Sequence, residues 1–326
     1  MAKKGGALPA FVELEDIRRE HRVAVRRFCA RLGIPVSTWY HWRAAELAGR
    51  PVRRWPSPVV DAIEEQAAAT ARHFEAWGHR KIWAMLRADG LRVSRSSVER
   101  ALRRRGLLLP ARYQTERRQL AQARRATFVD PPARRNRVWQ LDFSEFETAG
   151  GGTWRLAAVI DYATKTSLAV GISGTSAARD AIGAVRAAID AAERLLGRSL
   201  ADECHDPTSG ADAFLTVVTD NGPAFKSIDF GSFIRARPWL RHVRTRHRAP
   251  ETNGVVERFF GSLKYEHLYR LEIGDVITLA AEVEAYRLLY NTVRPHEALD
   301  FERPLERYLR EPSGSHLSGA RIVQDS

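Results

Sequence analysis

The chain has 326 residues, 44% hydrophobic and 9% aromatic, enough for two or three domains and at least one sizeable core. No apolar run approaches the ~20 residues of a membrane span, the first twenty residues lack the apolar stretch of a secretory signal, and two distant cysteines, Cys29 and Cys204, exclude a disulfide framework. The net charge of +13 is lopsided: residues 1–136 carry 29 Lys and Arg against 13 Asp and Glu, the remainder 23 against 26. A half that grips polyanions therefore precedes a near-neutral half, in a reducing, cytoplasmic setting without a membrane.

The first expected element, within residues 1–50, is a pair of helices in "VAVRRFCARLGIPVSTWYHWRAAEL". Val23, Phe28, Leu32 and Ile34 recur at helical intervals, Gly33 breaks the first helix, and Ser37 is a candidate cap for a second helix carrying Trp39, Tyr40, Trp42 and Arg43. The two tryptophans read as packing residues. Residues 51–112 repeat the rhythm: Ile82, Met85 and Leu86 form one stripe, Asp89-Gly90 a turn, Ser94 or Ser96 a cap, and Val98, Ala101 and Leu102 the next stripe. A helix, a short glycine turn and a helix studded with arginine is the helix-turn-helix pattern, with Arg43, Arg95, Arg100, Arg103 and Arg104 as candidate DNA contacts. Residues 113–136 read as a basic linker broken by Pro131 and Pro132, able to lay Arg117 and Arg118 along phosphates.

From Arg137 the texture becomes α/β. "RVWQLDFSEFE" alternates as a strand, Gly150, Gly151 and Gly152 make a turn and not a phosphate loop, and two hairpin strands follow. A long helix over "SAARDAIGAVRAAIDAAERLLG" leads to a strand at Phe214–Thr219, a helix near Ala224–Arg235, a short strand around His242–Thr245, and two closing helices. Antiparallel strands first and α/β units later predict a mixed five-stranded sheet flanked by helices, with a core at 137–272 and a C-terminal helical region and tail at 273–326.

Three acids are out of place in this pattern. Asp142 occupies a strand position that calls for an apolar residue, and Asp220 ends an apolar strand just before Asn-Gly-Pro. On the first closing helix Val256, Phe259, Phe260 and Leu263 form the buried stripe, while Asn253, Glu257, Gly261 and Lys264 share another face. Three carboxylates brought together repel unless a cation lies between them. Oxygen-only sites take Mg²⁺ or Mn²⁺, and two such ions can drive an in-line phosphodiester displacement without a protein nucleophile.

The words around the acids, "VWQLDFSEF", "TDNGPAF" and "NGVVERFFGSLKYE", with "YNTVRPHEALD" downstream, resemble the catalytic core of bacterial insertion-sequence transposases of the OrfB type, members of the retroviral-integrase-like DDE group. The resemblance runs from about Trp77 to Pro304. It implies a ribonuclease-H-like fold; Asp142, Asp220 and Glu257 as catalytic carboxylates and ligands of two Mg²⁺ or Mn²⁺ ions; and Lys264 as a contact to terminal DNA. It further implies 3′-end cleavage and strand transfer, double-stranded DNA at element ends and target, a homo-oligomer on DNA, a partner product from an upstream reading frame, and a bacterial, nucleoid-associated setting. The zinc-binding His-His-Cys-Cys domain of retroviral integrases has no counterpart here. Asp161 and Asp206 read as turn residues, and Cys204-His205 as incidental. The rival readings are a DNA-binding regulator or architectural protein with a relic core, and a nuclease without strand transfer.

Overall fold

The computed structural model describes residues 11–49, 63–109, 132–205, 213–245 and 254–310. Arg117, Arg118 and Asp206 lie outside them. The chain forms two compact units, Met1–Glu65 and Gln66–Ser326.

In the first unit α1 (Phe11–Glu20) precedes the expected pair, α2 (Val25–Leu32) and α3 (Val36–Leu47). Gly33 ends α2 in the left-handed conformation, φ +69°, which glycine adopts without penalty. Ser37 is not the cap of α3. Pro35 occupies that position, because it lacks the N–H that would find no acceptor there. Trp39 is fully buried and Trp42 nearly so, both edge-on to Phe11. They are core residues, as their spacing implied, and Tyr40 and Arg43 are exposed.

α4 (Glu64–His73) begins at the boundary between the units, and α5 (His79–Ala88) and α6 (Arg95–Arg104) follow in the second. Ser94 caps α6, its hydroxyl accepting from the Ser97 amide at 3.1 Å. Ile82, Leu86, Val98, Ala101 and Leu102 close the small core between α5 and α6.

The sheet follows: β1 (Val138–Glu147), β2 (Thr153–Asp161), β3 (Ser167–Ser173), then α7 (Ala178–Leu196), the short α8 (Leu200–Cys204) and β4 (Leu215–Thr219). Ser227, an extended residue whose hydroxyl accepts from Phe230, splits the expected helix after β4 into α9 (Pro223–Lys226) and α10 (Ile228–Arg235). β5 (Leu240–Arg244), α11 (Gly254–Glu266), α12 (Val276–Thr292) and α13 (Pro304–Leu309) complete the chain.

The strand order is β3-β2-β1-β4-β5. β1–β2 and β2–β3 are antiparallel and β1–β4 and β4–β5 parallel, the mixed five-stranded sheet predicted from the strand pattern. Successive residues of a strand face opposite sides. Trp139 and Leu141 of β1 pack with α7, whose Ala181, Ala184, Val185, Ala188 and Ala192 are buried. Phe146 of β1, with Leu156, Ala158 and Ile160 of β2, packs against Val256, Phe259, Phe260 and Leu263 of α11 and the buried face of α12. The glycine turn between β1 and β2 holds: Gly151 and Gly152 take φ +94° and +100°. At Gly150 a Cβ would stand 2.4 Å from the Gly274 carbonyl, so only glycine lets the turn reach the segment before α12.

Candidate active site

The alternation along β1 assigns Gln140, Asp142, Ser144 and Phe146 to the α11 side of the sheet, since Asp142 pairs with Ala158 and Phe146 with Trp154. The parallel ladder between β1 and β4 ends at the pair Gln140–Val218. Two residues beyond that pair, on either strand, stand Asp142 and Asp220. Asp220 therefore emerges beside Asp142 at the carboxyl end of β4, where α/β sheets present reactive groups. Its Oδ1 accepts from the Gly222 amide at 2.9 Å, and Asn221 Nδ2 donates to the Thr245 carbonyl, tying this tip to the end of β5.

Glu257 lies in the first turn of α11. The link between that turn and β1 is Gln140, a buried side-chain amide within the strand. Its Oε1 accepts from the Val255 amide at 2.9 Å and the Val256 amide at 3.1 Å. The signal was present in the sequence as a polar residue in an otherwise apolar stretch of strand, two positions before Asp142.

Electrostatics join the three acids. Burial pushes the Asp142 carboxyl up to about 7, and the charges of Asp220 and Glu257 push it the same way, against a lowering hydrogen bond from the Phe143 amide at 2.8 Å. A half-buried carboxylate facing two like charges suits an ion of opposite sign, and an all-oxygen donor set suits Mg²⁺ or Mn²⁺. Among the described residues, however, no three His, Cys, Asp or Glu side chains are gathered closely enough to hold a metal ion. The acids feel one another's charge without being closed into a finished ligand set.

Lys264 follows Glu257 by two helical turns. Burial lowers its ammonium pKa, against the raising charge of Glu145 on β1. Of the candidate DNA contacts, Arg43, Arg95, Arg100, Arg103 and Arg104 are exposed. Arg103 pairs with Glu99 at 2.7 Å. Arg95 lies over the rings of Trp83, at 4.4 Å, and Phe301, at 5.1 Å. Asp161 is fully buried and organises the turn after β2 by accepting from the Asn136 and Thr164 amides at 2.7 and 2.8 Å.

The far end of α11 carries a second acidic feature. Glu266 is bound at 2.7 Å by both Nε and Nη2 of Arg294, and at 2.8 Å by Lys81 of α5. These cations hold its carboxyl well below the usual carboxylate range despite burial. Arg294 belongs to the "YNTVRPHEALD" stretch, whose role the sequence left open. Asn291 of the same stretch clamps the backbone of Ser167 through both its amide oxygen and its amide nitrogen. Pro295 of the same stretch is buried. The stretch braces β3 and α11 and supports α5.

An integrase core domain model matches residues 240–304, and an HTH-like domain model matches residues 60–115. The chain is 26% identical over 253 residues to the transposase InsD for insertion element IS2A/D/F/H/I/K of Escherichia coli, spanning 76% of this chain and 78% of that one. The InsD transposase of the element IS2 on the F plasmid of Escherichia coli (strain K12) matches equally. Among solved structures it is similar to a simian T-cell lymphotropic virus intasome in complex with PP2A regulatory subunit B56 gamma, at TM-score 0.45 and 19% identity over 61% of this chain and 63% of that one. It is also similar to the HTLV-2 integrase catalytic core domain in complex with magnesium, at TM-score 0.40 and 20% identity over 54% of this chain and 97% of that one. The chain is thus similar to the InsD insertion-sequence transposases over 76% of its length, with a match to an HTH-like domain model followed by a match to an integrase core domain model.

Proposed function

We propose that this chain is a DNA transposase that cleaves the 3′ ends of its element and transfers them into target DNA. The observation that supports the reading is that Asp220 and Glu257, from distant parts of the chain, stand near enough to Asp142 for their charges to push its carboxyl up. Asp142 and Asp220 continue adjacent parallel strands, and Glu257 rides a helix whose first turn is bonded to β1 two residues before Asp142. Water attacks the phosphorus at the element end, the bond to the flanking strand breaks, and a 3′-hydroxyl is left. That hydroxyl then attacks a target phosphodiester and displaces its 3′-oxygen.

Asp142, Asp220 and Glu257 would hold Mg²⁺ or Mn²⁺, two ions in this reading, which supply activation of the attacking oxygen and stabilisation of the departing one. The protein's own part is to align the three carboxylates and to let Asp142 exchange its proton for a cation near neutral pH. The basic N-terminal helices would grip the terminal repeats through Arg43, Arg95, Arg100, Arg103 and Arg104, the basic linker would add Arg117 and Arg118, and Lys264 would lie near the reacting end. The active species would be a homo-oligomer that joins two ends.

The test is joining of a marked donor end into supercoiled plasmid with Mg²⁺. Wild-type protein should yield joined product, and Asp142→Asn, Asp220→Asn and Glu257→Gln should each shift donor DNA in a gel yet join none. Undiminished joining by these variants would refute the site. Binding without joining by wild-type protein would leave a DNA-binding regulator.

A further inference from the structure

We propose that Gln140 is a positioning residue whose side-chain carbonyl pins the first turn of α11 to β1 and thereby sets Glu257 opposite Asp142. The inference rests on the strand-transfer reading for its catalytic consequence, and on geometry alone for the pin itself.

Gln140 is 1% exposed, amid Val138, Trp139 and Leu141 of a strand whose other residues there are apolar. A buried amide costs stability unless its polar atoms are bonded. The opening amides of an α-helix have no acceptor within the helix. Gln140 Oε1 takes two of them, Val255 and Val256, in a bifurcated contact 115 and 116 residues away in sequence. On one side of this contact Asp142 follows Gln140 by two residues on the same strand face, roughly 7 Å along the strand. On the other side Glu257 follows Val256 directly.

A single side chain therefore bridges the two elements that bear these carboxylates, at the end of the helix where they meet. The apolar contacts of Val256, Phe259, Phe260 and Leu263 fix how α11 lies on the sheet, but apolar packing is non-directional and tolerates sliding along the helix axis. Two hydrogen bonds to one oxygen do not. The acceptor is also neutral, so it holds the positive end of the helix without adding a fourth negative charge beside Asp142, Asp220 and Glu257.

The test uses the full chain with two substitutions. Gln140→Leu keeps the approximate volume and removes the acceptor. Gln140→Glu keeps an acceptor oxygen and attracts the same amides. In hydrogen–deuterium exchange, the peptide covering the first turn of α11 should exchange ~10- to 100-fold faster in Gln140→Leu, while α7 and α12 stay protected. Gln140→Glu should restore the protection. In the joining assay Gln140→Leu should lose ~10- to 100-fold in kcat with DNA affinity unchanged.

Wild-type exchange in Gln140→Leu, or loss of joining with the first turn still protected, would overturn the proposal. If Gln140→Leu fails to fold, the Gln140→Glu exchange profile decides, since a turn left unprotected beside an intact acceptor is equally fatal. Should wild-type protein join nothing while the exchange contrast stands, the pin survives and the transposase reading falls.

Discussion

The two ends of α11 hold carboxylates in opposite electrical circumstances. Glu257 at one end shares its surroundings with Asp142 and Asp220, and Asp142 is driven up to about 7. Nine residues on, roughly 14 Å along the helix axis, Glu266 is more deeply buried yet driven down, because Arg294 and Lys81 face it. Burial alone would raise both. What differs is whether the protein supplies the compensating charge. At Glu266 it does, and the acid becomes a structural tie between α11, α5 and the C-terminal stretch. At Asp142 the neighbouring charges are those of Asp220 and Glu257, which push its carboxyl further up.

The largest effects should divide along this line. Asp220→Asn should reduce joining on the order of a thousandfold or more by removing one of the ligands proposed to hold the ions. It should leave the urea midpoint unchanged or raised. Glu266→Gln should do the reverse, destabilising by about 3–5 kcal/mol because buried Arg294 loses its partner. Pairing Glu266→Gln with Arg294→Met should recover much of that loss in urea titrations, through the coupling expected of contacting residues. A stable Glu266→Gln protein would erase the contrast.

The pH dependence sharpens it with opposite signs. In metal-chelated protein, folded Asp142 keeps its proton to about 7 whereas the unfolded chain releases it near 3.8, so Asp142 costs stability increasingly as pH rises between those values. Asp142→Asn should therefore match wild type below pH ~4 and exceed it by about 1–3 kcal/mol above pH 7, partial exposure having reduced the full shift. Glu266 is depressed, so its contribution is complete above its ordinary 4.5 and is lost as pH falls below that value. Melting curves of Asp142→Asn and Glu266→Gln across pH 3–8 check both signs. The smallest expected effect is at the surface proposed to grip DNA: Arg100→Gln should lower the magnitude of the slope of log binding constant against log salt by about 0.9, which salt titrations by gel shift would measure.

The sheet was legible because its cues are local. The alternation around Leu141 and Phe143, the glycine turn and the apolar run to Asp220 each specify a strand and its end within a dozen residues. Asp142 and Glu257 were legible as misfits, an acid among apolar strand positions and an acid off the apolar stripe of a helix. Ser37 has the capping preference that marks a helix start, yet the fixed φ of Pro35 sets the start of α3 two residues earlier. The hidden features join residues far apart in sequence. Gln140 reaches Val255, Glu266 reaches both Lys81 and Arg294, and Asn291 reaches Ser167. No periodicity announces such contacts: Gln140 stands out locally as a polar residue among apolar ones, but its partner is set only by the fold.

The most direct test of the convergent acids is the titration of Asp142 itself, followed by the ¹³C shift of its labelled carboxyl. In chelated protein the account predicts a midpoint near 7, lowered in Asp220→Asn and in Glu257→Gln and lowered further in wild type by saturating Mg²⁺. A midpoint near 3.8 that ignores both substitutions and the metal would mean that the three carboxylates do not share a site.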